Sequence, residues 1–123
     1  MADLSRYEIH TDVKYPNLVP FDVAAFAKQH EPWFNQTLVK VNESVVRLGI
    51  LEGDFHWHKH EREDEFFFVL EGRLHIDVEG RDSVTLDPHH GFTVPRNVMH
   101  RPRAEGRTVV LMVEPAEVVP TGD

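Results

Sequence analysis

From Thr37 to Val113 the chain holds no hydrophobic rhythm for long: short β-branched and aromatic runs are cut by turn-forming residues about every 8–12 positions. Leu38–Val41, Val45–Leu51, Phe55–His60, Phe66–Leu70, Leu74–Val78, Ser83–Leu86, Phe92–Val94, Val98–Arg101 and Thr108–Val113 read as strands. Asn42–Ser44, Gly53-Asp54, Glu71-Gly72 and Glu79-Gly80 read as the turns between them. Helices do not alternate with these strands, so a parallel α/β sheet is excluded and an all-β sandwich or barrel is expected. One short helix is expected ahead of them, about Val23–Gln29. Asp22 stands where its N-cap should, and Pro32 denies the backbone donor needed to continue. Residues 1–20, with Pro16 and Pro20, read as an extended arm, and the tail EPAEVVPTGD as a loop or a loosely held end.

At 123 residues the chain has material for one hydrophobic core. We therefore expect a single domain over 1–123: an arm and helix in 1–36, a barrel in 37–115 and a tail in 116–123. The formal charge of −8 comes without any basic cluster, which disfavours a phosphate backbone as partner. There is no cysteine, so thiolate nucleophiles, disulfides and cysteine-held metals are excluded. The start MADLSRYEIH is too polar for a signal peptide, and the longest apolar runs, Phe66–Leu70 and Val109–Val113, are too short to span a membrane. A cytoplasmic location is expected. No Gly-x-Ser-x-Gly elbow and no glycine-rich phosphate loop is present.

The nine histidines draw attention to GDFHWHKHEREDEFFFVLEG, residues 53–72. On a strand, His56, His58 and His60 share one face and Trp57 and Lys59 the other. Side chains two apart lie roughly 6.5–7 Å from each other along the strand, so two imidazoles can lean toward one cation, whereas three in a row cannot easily do so. One of the three is therefore expected to be a neighbour of the site and not a ligand. In the next strand Asp64 and Glu65 point to opposite faces. If Glu65 faces in, Phe67 and Val69 do too; if Asp64 does, Phe66, Phe68 and Leu70 follow, and periodicity leaves both open. His10, His30, His89 and His90 lack such context and are read as solvated, and His75 as a surface residue of the barrel.

This hairpin and the later segment HHGFTVPRNVMHRP resemble the two motifs of the cupin superfamily. The first motif runs Gly, five residues, His-x-His, three or four residues, Glu, six residues, Gly. His58, His60, Glu65 and Gly72 satisfy it, with Gly53 one place late. In the second, Pro95 and His100 fit. Asn97 stands for the middle glycine, a replacement suited to a left-handed turn, while Gly91 is displaced and Ala104 stands where a final Asn would be. WHKHEREDEFFFVLEGRL and VLMVEPAEVVPTGD are similar to small single-domain cupins often labelled mannose-6-phosphate isomerase-like. The resemblance implies a double-stranded β-helix (a jelly-roll barrel) with one divalent transition metal per chain held by His58, His60, Glu65 and His100. It places Glu65 inward and makes His56 the neighbour. It also implies a homodimer, in which the arm or the outer faces of Trp57, Phe66 and Phe68 would pack against the partner.

Three imidazoles and a carboxylate leave two adjacent positions of an octahedron open, and suit Fe(II), Mn(II), Ni(II), Co(II) or Zn(II). Such a site fits a small-molecule metalloenzyme of oxygenase, isomerase or lyase type; the alternative is a non-catalytic module binding a small ligand or sugar. His56 is a candidate acid–base group or a hydrogen-bonding neighbour of the ligands. Arg96, Arg101 and Arg103 are possible anion clamps, but an inward His100 turns Arg101 outward and Arg103 with it. Glu61 and Glu63 are read as a charged turn.

Overall fold

The computed structural model describes residues 4–123. In chain order the elements are β1 (Glu8–His10), α1 (Val23–Ala27), β2 (Phe34–Val41), β3 (Ser44–Asp54), β4 (Glu65–Val78), β5 (Val84–Leu86), β6 (Gly91–Val94) and β7 (His100–Pro115). The sheet runs β1-β2-β3-β7-β4-β5, and β6 pairs with the first part of β4. All pairings are antiparallel except that of β1, which lies parallel to β2 with Glu8 opposite Phe34. This is the expected all-β jelly roll, with a 3-10 turn at Leu4–Arg6 and the short α-helix lying between β1 and β2 and ending at Ala27, two residues short of the expected Gln29. Asp22 caps that helix, its carboxylate accepting from the N–H of Ala25 at 3.0 Å.

The strand pattern explains which faces close on each other. Along β4, Glu65, Phe67 and Val69 are buried while Phe66, Phe68 and Leu70 are half-buried. Phe67 and Val69 join Leu74, Ile76, Val110 and Met112 in the barrel interior. A second cluster, with Phe26, Phe34, Leu48 and Ile50, seats the helix on the outer side of β2 and β3. His30 belongs to it: its ring stacks on Phe34 at 4.0 Å and it is half-buried, not solvated as its sequence context suggests. His89 and His90 are exposed. His10 is partly covered and pairs with Glu8 at 2.6 Å, while His75 bonds Thr85 and Glu105 at the surface.

Several expected turns prove to be corners within longer strands. Phe66–Leu70 and Leu74–Val78 form one strand, and the expected turn Glu71-Gly72 is a bulge in it. Irregularities also fall at Leu51/Gly53 of β3, and Ala104 of β7 pairs with both Gly53 and Leu74. Gly53, Gly72 and Gly106 all have positive φ (87, 86 and 64°), so a line of left-handed residues crosses three adjacent strands. At Gly72 only hydrogen fits, because a Cβ would lie 2.5 Å from Thr108 Oγ1 and 2.7 Å from Arg107 O. A bulge and a turn ask for the same residues, so Glu-Gly alone could not tell them apart. Flat, the 14-residue β4 would hold its ends roughly 43 Å apart at about 3.3 Å per residue. The corner folds its two halves over each other.

Two further expectations change. Residues 55–60 are extended but are not a strand; their one ladder contact is the bridge His58↔His100. The arm adds β1 to the sheet edge, and its first three residues lie outside the described residues. The tail is held firmly: Val118 is buried and its carbonyl accepts from Arg47 at 2.7 Å.

Candidate metal centre

Backbone contacts bring the four predicted ligands together. His58 and His100 exchange N–H···O bonds of 3.0 and 2.9 Å, which ties the first motif to the start of β7. Asn97, left-handed at φ 63°, donates its N–H to His60 O at 2.7 Å, and Arg96 N–H donates to Asp64 Oδ1 at 2.8 Å. The 95–97 turn thus grips the hairpin on both sides of its tip. Glu65, first residue of β4, points inward as the motif implied, and Asp64 points out to Arg96.

His58, His60, Glu65 and His100 are all buried, and one potential ligand atom from each lies within 4.8 Å of all the others. Glu65 Oε1 is 3.5 Å from both His60 Nε2 and His100 Nε2. Those three atoms have no hydrogen-bond partner. Burying unpartnered polar atoms costs about 1–3 kcal/mol each, and a group that accepts their lone pairs would offset that cost. Two of the rings are fixed by backbone carbonyls. His58 Nδ1–H donates to His56 O at 3.1 Å and His100 Nδ1–H to Val98 O at 2.9 Å, which leaves each Nε2 lone pair facing the centre. The donor set fits a divalent cation.

The field within the cluster agrees at His58 and Glu65 and favours the charged form at His60. Burial, followed by the charge of His100, pushes His58 down to about 4, so its imidazole is neutral and free to ligate. Burial works against ionised Glu65, but His100, His60 and Glu114 outweigh it and hold that carboxyl well below the usual range. His60 is raised: burial opposes its charge, yet Glu65 and then Asp123 and Glu63 prevail.

Beside the cluster lies a narrow cavity with walls that include Tyr7, Trp33, Asn35, Phe55, Phe67 and Met112. It has about 20 Å³ of room for water centres, enough for a water and not for a larger ligand. No lysine or arginine lines it. Burial pushes Tyr7 up to about 12 despite the hydrogen bond from Asn35.

Sequence reasoning missed the polar group next to this cavity. Arg47, 3 % exposed, donates to Glu114 Oε2 at 2.5 Å, Thr37 Oγ1 at 3.0 Å, Val118 O at 2.7 Å and Ala116 O at 3.2 Å. Burial and the Glu65 anion push the Glu114 carboxyl well above its ordinary value, with Arg47 pulling the other way. The signal was present: Arg47 and Glu114 are charged residues inside otherwise apolar strand runs. Of the remaining candidates, His56 Nε2 bonds Thr121 O at 2.7 Å. Arg101 and Arg103 face outward onto Asp77, whose carboxyl they and Ser83 hold far down, Arg103 foremost. Arg96 is engaged by Asp64 at the surface.

Residues 45–114, more than half of the chain, match the cupin domain family. The chain belongs to that family. It is 39% identical over 80 residues to the uncharacterized protein YdbB of Bacillus subtilis, covering 65% of this chain and 71% of that one. It is 38% identical over 60 residues to the uncharacterized HTH-type transcriptional regulator YobQ of the same organism, covering 49% of this cupin but about a quarter (24%) of the regulator. Among solved structures, a cupin-2 domain containing protein from Shewanella frigidimarina superposes with a TM-score of 0.69 at 29% identity, over 75% of this cupin and 89% of that chain. No helix among the described residues is long and apolar enough to cross a membrane.

Proposed function

We propose that this cupin is a single-domain, divalent-metal-dependent enzyme acting on a small molecule, with His58, His60, Glu65 and His100 as ligands to one cation per chain. The observation that carries this reading is the convergence of buried lone pairs left without any protein donor. When bound, the cation would supply a Lewis acid, the requirement shared by oxygenase, isomerase and lyase chemistry. The chain's own part is to orient two rings through backbone carbonyls, to exclude bulk water and to offer an apolar, aromatic wall to the substrate. His56, committed to Thr121 O, acts as a neighbour of the ligands and not as a proton donor.

A second reading is a non-catalytic sensing module. The match to part of a transcriptional regulator favours it, because there the shared segment is joined to a much longer chain. Elemental analysis of untagged protein tests the shared premise: close to one transition metal per chain is expected. His58→Ala and His100→Ala should lose it while His89→Ala keeps it; loss in His89→Ala, or no uptake by the unaltered chain, refutes the site. Turnover in a screen of diketones, phenols, uronates and sugar phosphates separates enzyme from sensor. Ligand-induced melting shifts without turnover favour the sensor.

We also place the protein in the cytoplasm and propose a homodimer. Trp57 is 43 % exposed and the rings of Phe66 and Phe68 stack together on the outer face of β4. Light scattering should give about twice 14.3 kDa at micromolar concentration; a monomer refutes the pairing.

A further inference from the structure

His58 and His100 owe their ring orientation to the backbone two residues before each of them. His60 has no such support. The residue is 2 % exposed, yet its Nδ1 has no hydrogen-bond partner. That atom faces Asp123 Oδ1 at 3.8 Å, and Glu63 completes a group whose potential ligand atoms lie within 4.8 Å of one another.

Asp123 is delivered there by residues 116–123, which cross the open side of the hairpin. Arg47 grips the carbonyls of Ala116 and Val118. His56 Nε2–H donates to Thr121 O at 2.7 Å, Asp123 N–H to Lys59 O at 3.2 Å, and Glu61 N–H to Asp123 Oδ2 at 2.6 Å. Gly122, at φ 99°, passes so near His58 that a Cβ there would lie 2.7 Å from that residue's own. Pro120 of the same segment forms part of the cavity wall.

We propose that Asp123 is the acceptor for His60 Nδ1–H in the cation-loaded protein, and that residues 116–123 form a strap whose docking and cation binding reinforce each other. The inference rests on the four-ligand reading of the site. A carboxylate on Nδ1–H fixes the ring and makes Nε2 a better donor to a cation. Asp123 is thus a positioning residue: it touches the ligand, not the metal. Coupling is reciprocal, so by whatever factor the docked strap raises affinity, the cation favours docking. Because Pro120 walls the cavity, strap release would also open the cavity to solutes larger than water.

Zinc titration of the metal-stripped full chain against a chromogenic chelator tests this. One zinc per chain is expected throughout. Asp123→Ala should bind about 10–100-fold more weakly, Asp123→Glu should recover part of the loss, and Gly122→Ala should weaken binding because the strap cannot seat. Asp82→Asn, exposed and remote from the strap, should bind as the unaltered chain does. In zinc-loaded protein with ¹⁵N-labelled histidine, Asp123→Ala should shift the Nδ1 resonance of His60 and leave those of His58 and His100 in place. Zinc should protect residues 116–123 from proteolysis in the unaltered chain and fail to do so in Asp123→Ala. Unchanged zinc affinity in Asp123→Ala overturns the proposal. So does a fall from two zinc ions to one, since Asp123 would then ligate a second cation directly. An unaltered chain that takes up no zinc refutes the four-ligand site itself, and the strap proposal falls with it.

Discussion

Replacing Arg47 with Met removes the cation that faces Glu114 and withdraws donors from Thr37 Oγ1 and from the Ala116 and Val118 carbonyls. Both side chains of the ion pair are nearly sealed from solvent, 3% and 1% exposed. The Glu114 carboxyl would be left beside Glu65 with no compensating charge. Breaking a buried pair from one side costs about 3–5 kcal/mol, a large share of a small domain's stability. Arg47→Met/Glu114→Leu removes both charges and should cost less than the sum of the two single changes. What remains is mainly the unmet carbonyls of Ala116 and Val118, at about 1 kcal/mol each. Urea unfolding in chelator, with the dependence on denaturant held common across the set, gives the four free energies of the cycle. A loss below about 1 kcal/mol for Arg47→Met, or a double change equal to the sum of the singles, would refute this account of a buried, mutually dependent pair.

The unmetallated protein should lose stability in acid through His58. The fold holds that ring neutral and lowers it from 6.5 to about 4. Its contribution is therefore complete above 6.5 and is lost as the pH falls toward 4, about 3 kcal/mol at roughly 1.4 kcal/mol per pH unit. His60, raised by Glu65, acts in the opposite sense. His58→Gln should flatten the decline seen in urea midpoints between pH 7.5 and 4, and an unchanged slope counts against the assignment. Gly72→Ala and Gly80→Ala both place a side chain at positive φ, but only at Gly72 does a Cβ meet Thr108 and Arg107; at Gly80 nothing lies within 4 Å. Gly80→Ala should cost about 1–2 kcal/mol and Gly72→Ala more, with zinc affinity falling as well. Equal costs for the two would show that the corner at Gly72 is not tightly packed.

The site was largely legible because its residues carry spacing information. His58 and His60, two apart on one face, are positions that local geometry can read, while Glu65, Asn97 and His100 were supplied by the resemblance to the cupin motifs. Parity alone left Asp64 and Glu65 undecided, and the motif chose the residue that is buried. The corners were not legible, since Glu71-Gly72 suits a reversal and a bulge equally well and only the pairing with β7 distinguishes them. The Arg47–Glu114 pair and the Asp123–His60 approach join residues 67 and 63 positions apart. No local pattern encodes such meetings. The tail looked loose because its sequence lacks a strand rhythm, whereas its attachment comes from Arg47 and a few backbone bonds.

The fold in the long strands has a bearing on the order of events as the protein is made. Glu65 opens β4, while His100 pairs with Val78 at that strand's far end, so the two meet only because the sheet doubles back. A nascent chain that has emerged only as far as the hairpin holds three donors on a floppy loop and lacks the fourth. The four-residue cluster is therefore complete only once the last long strand has zipped into place, so a cation held by all four would act as a clasp fastened after assembly and not as a seed around which the barrel forms.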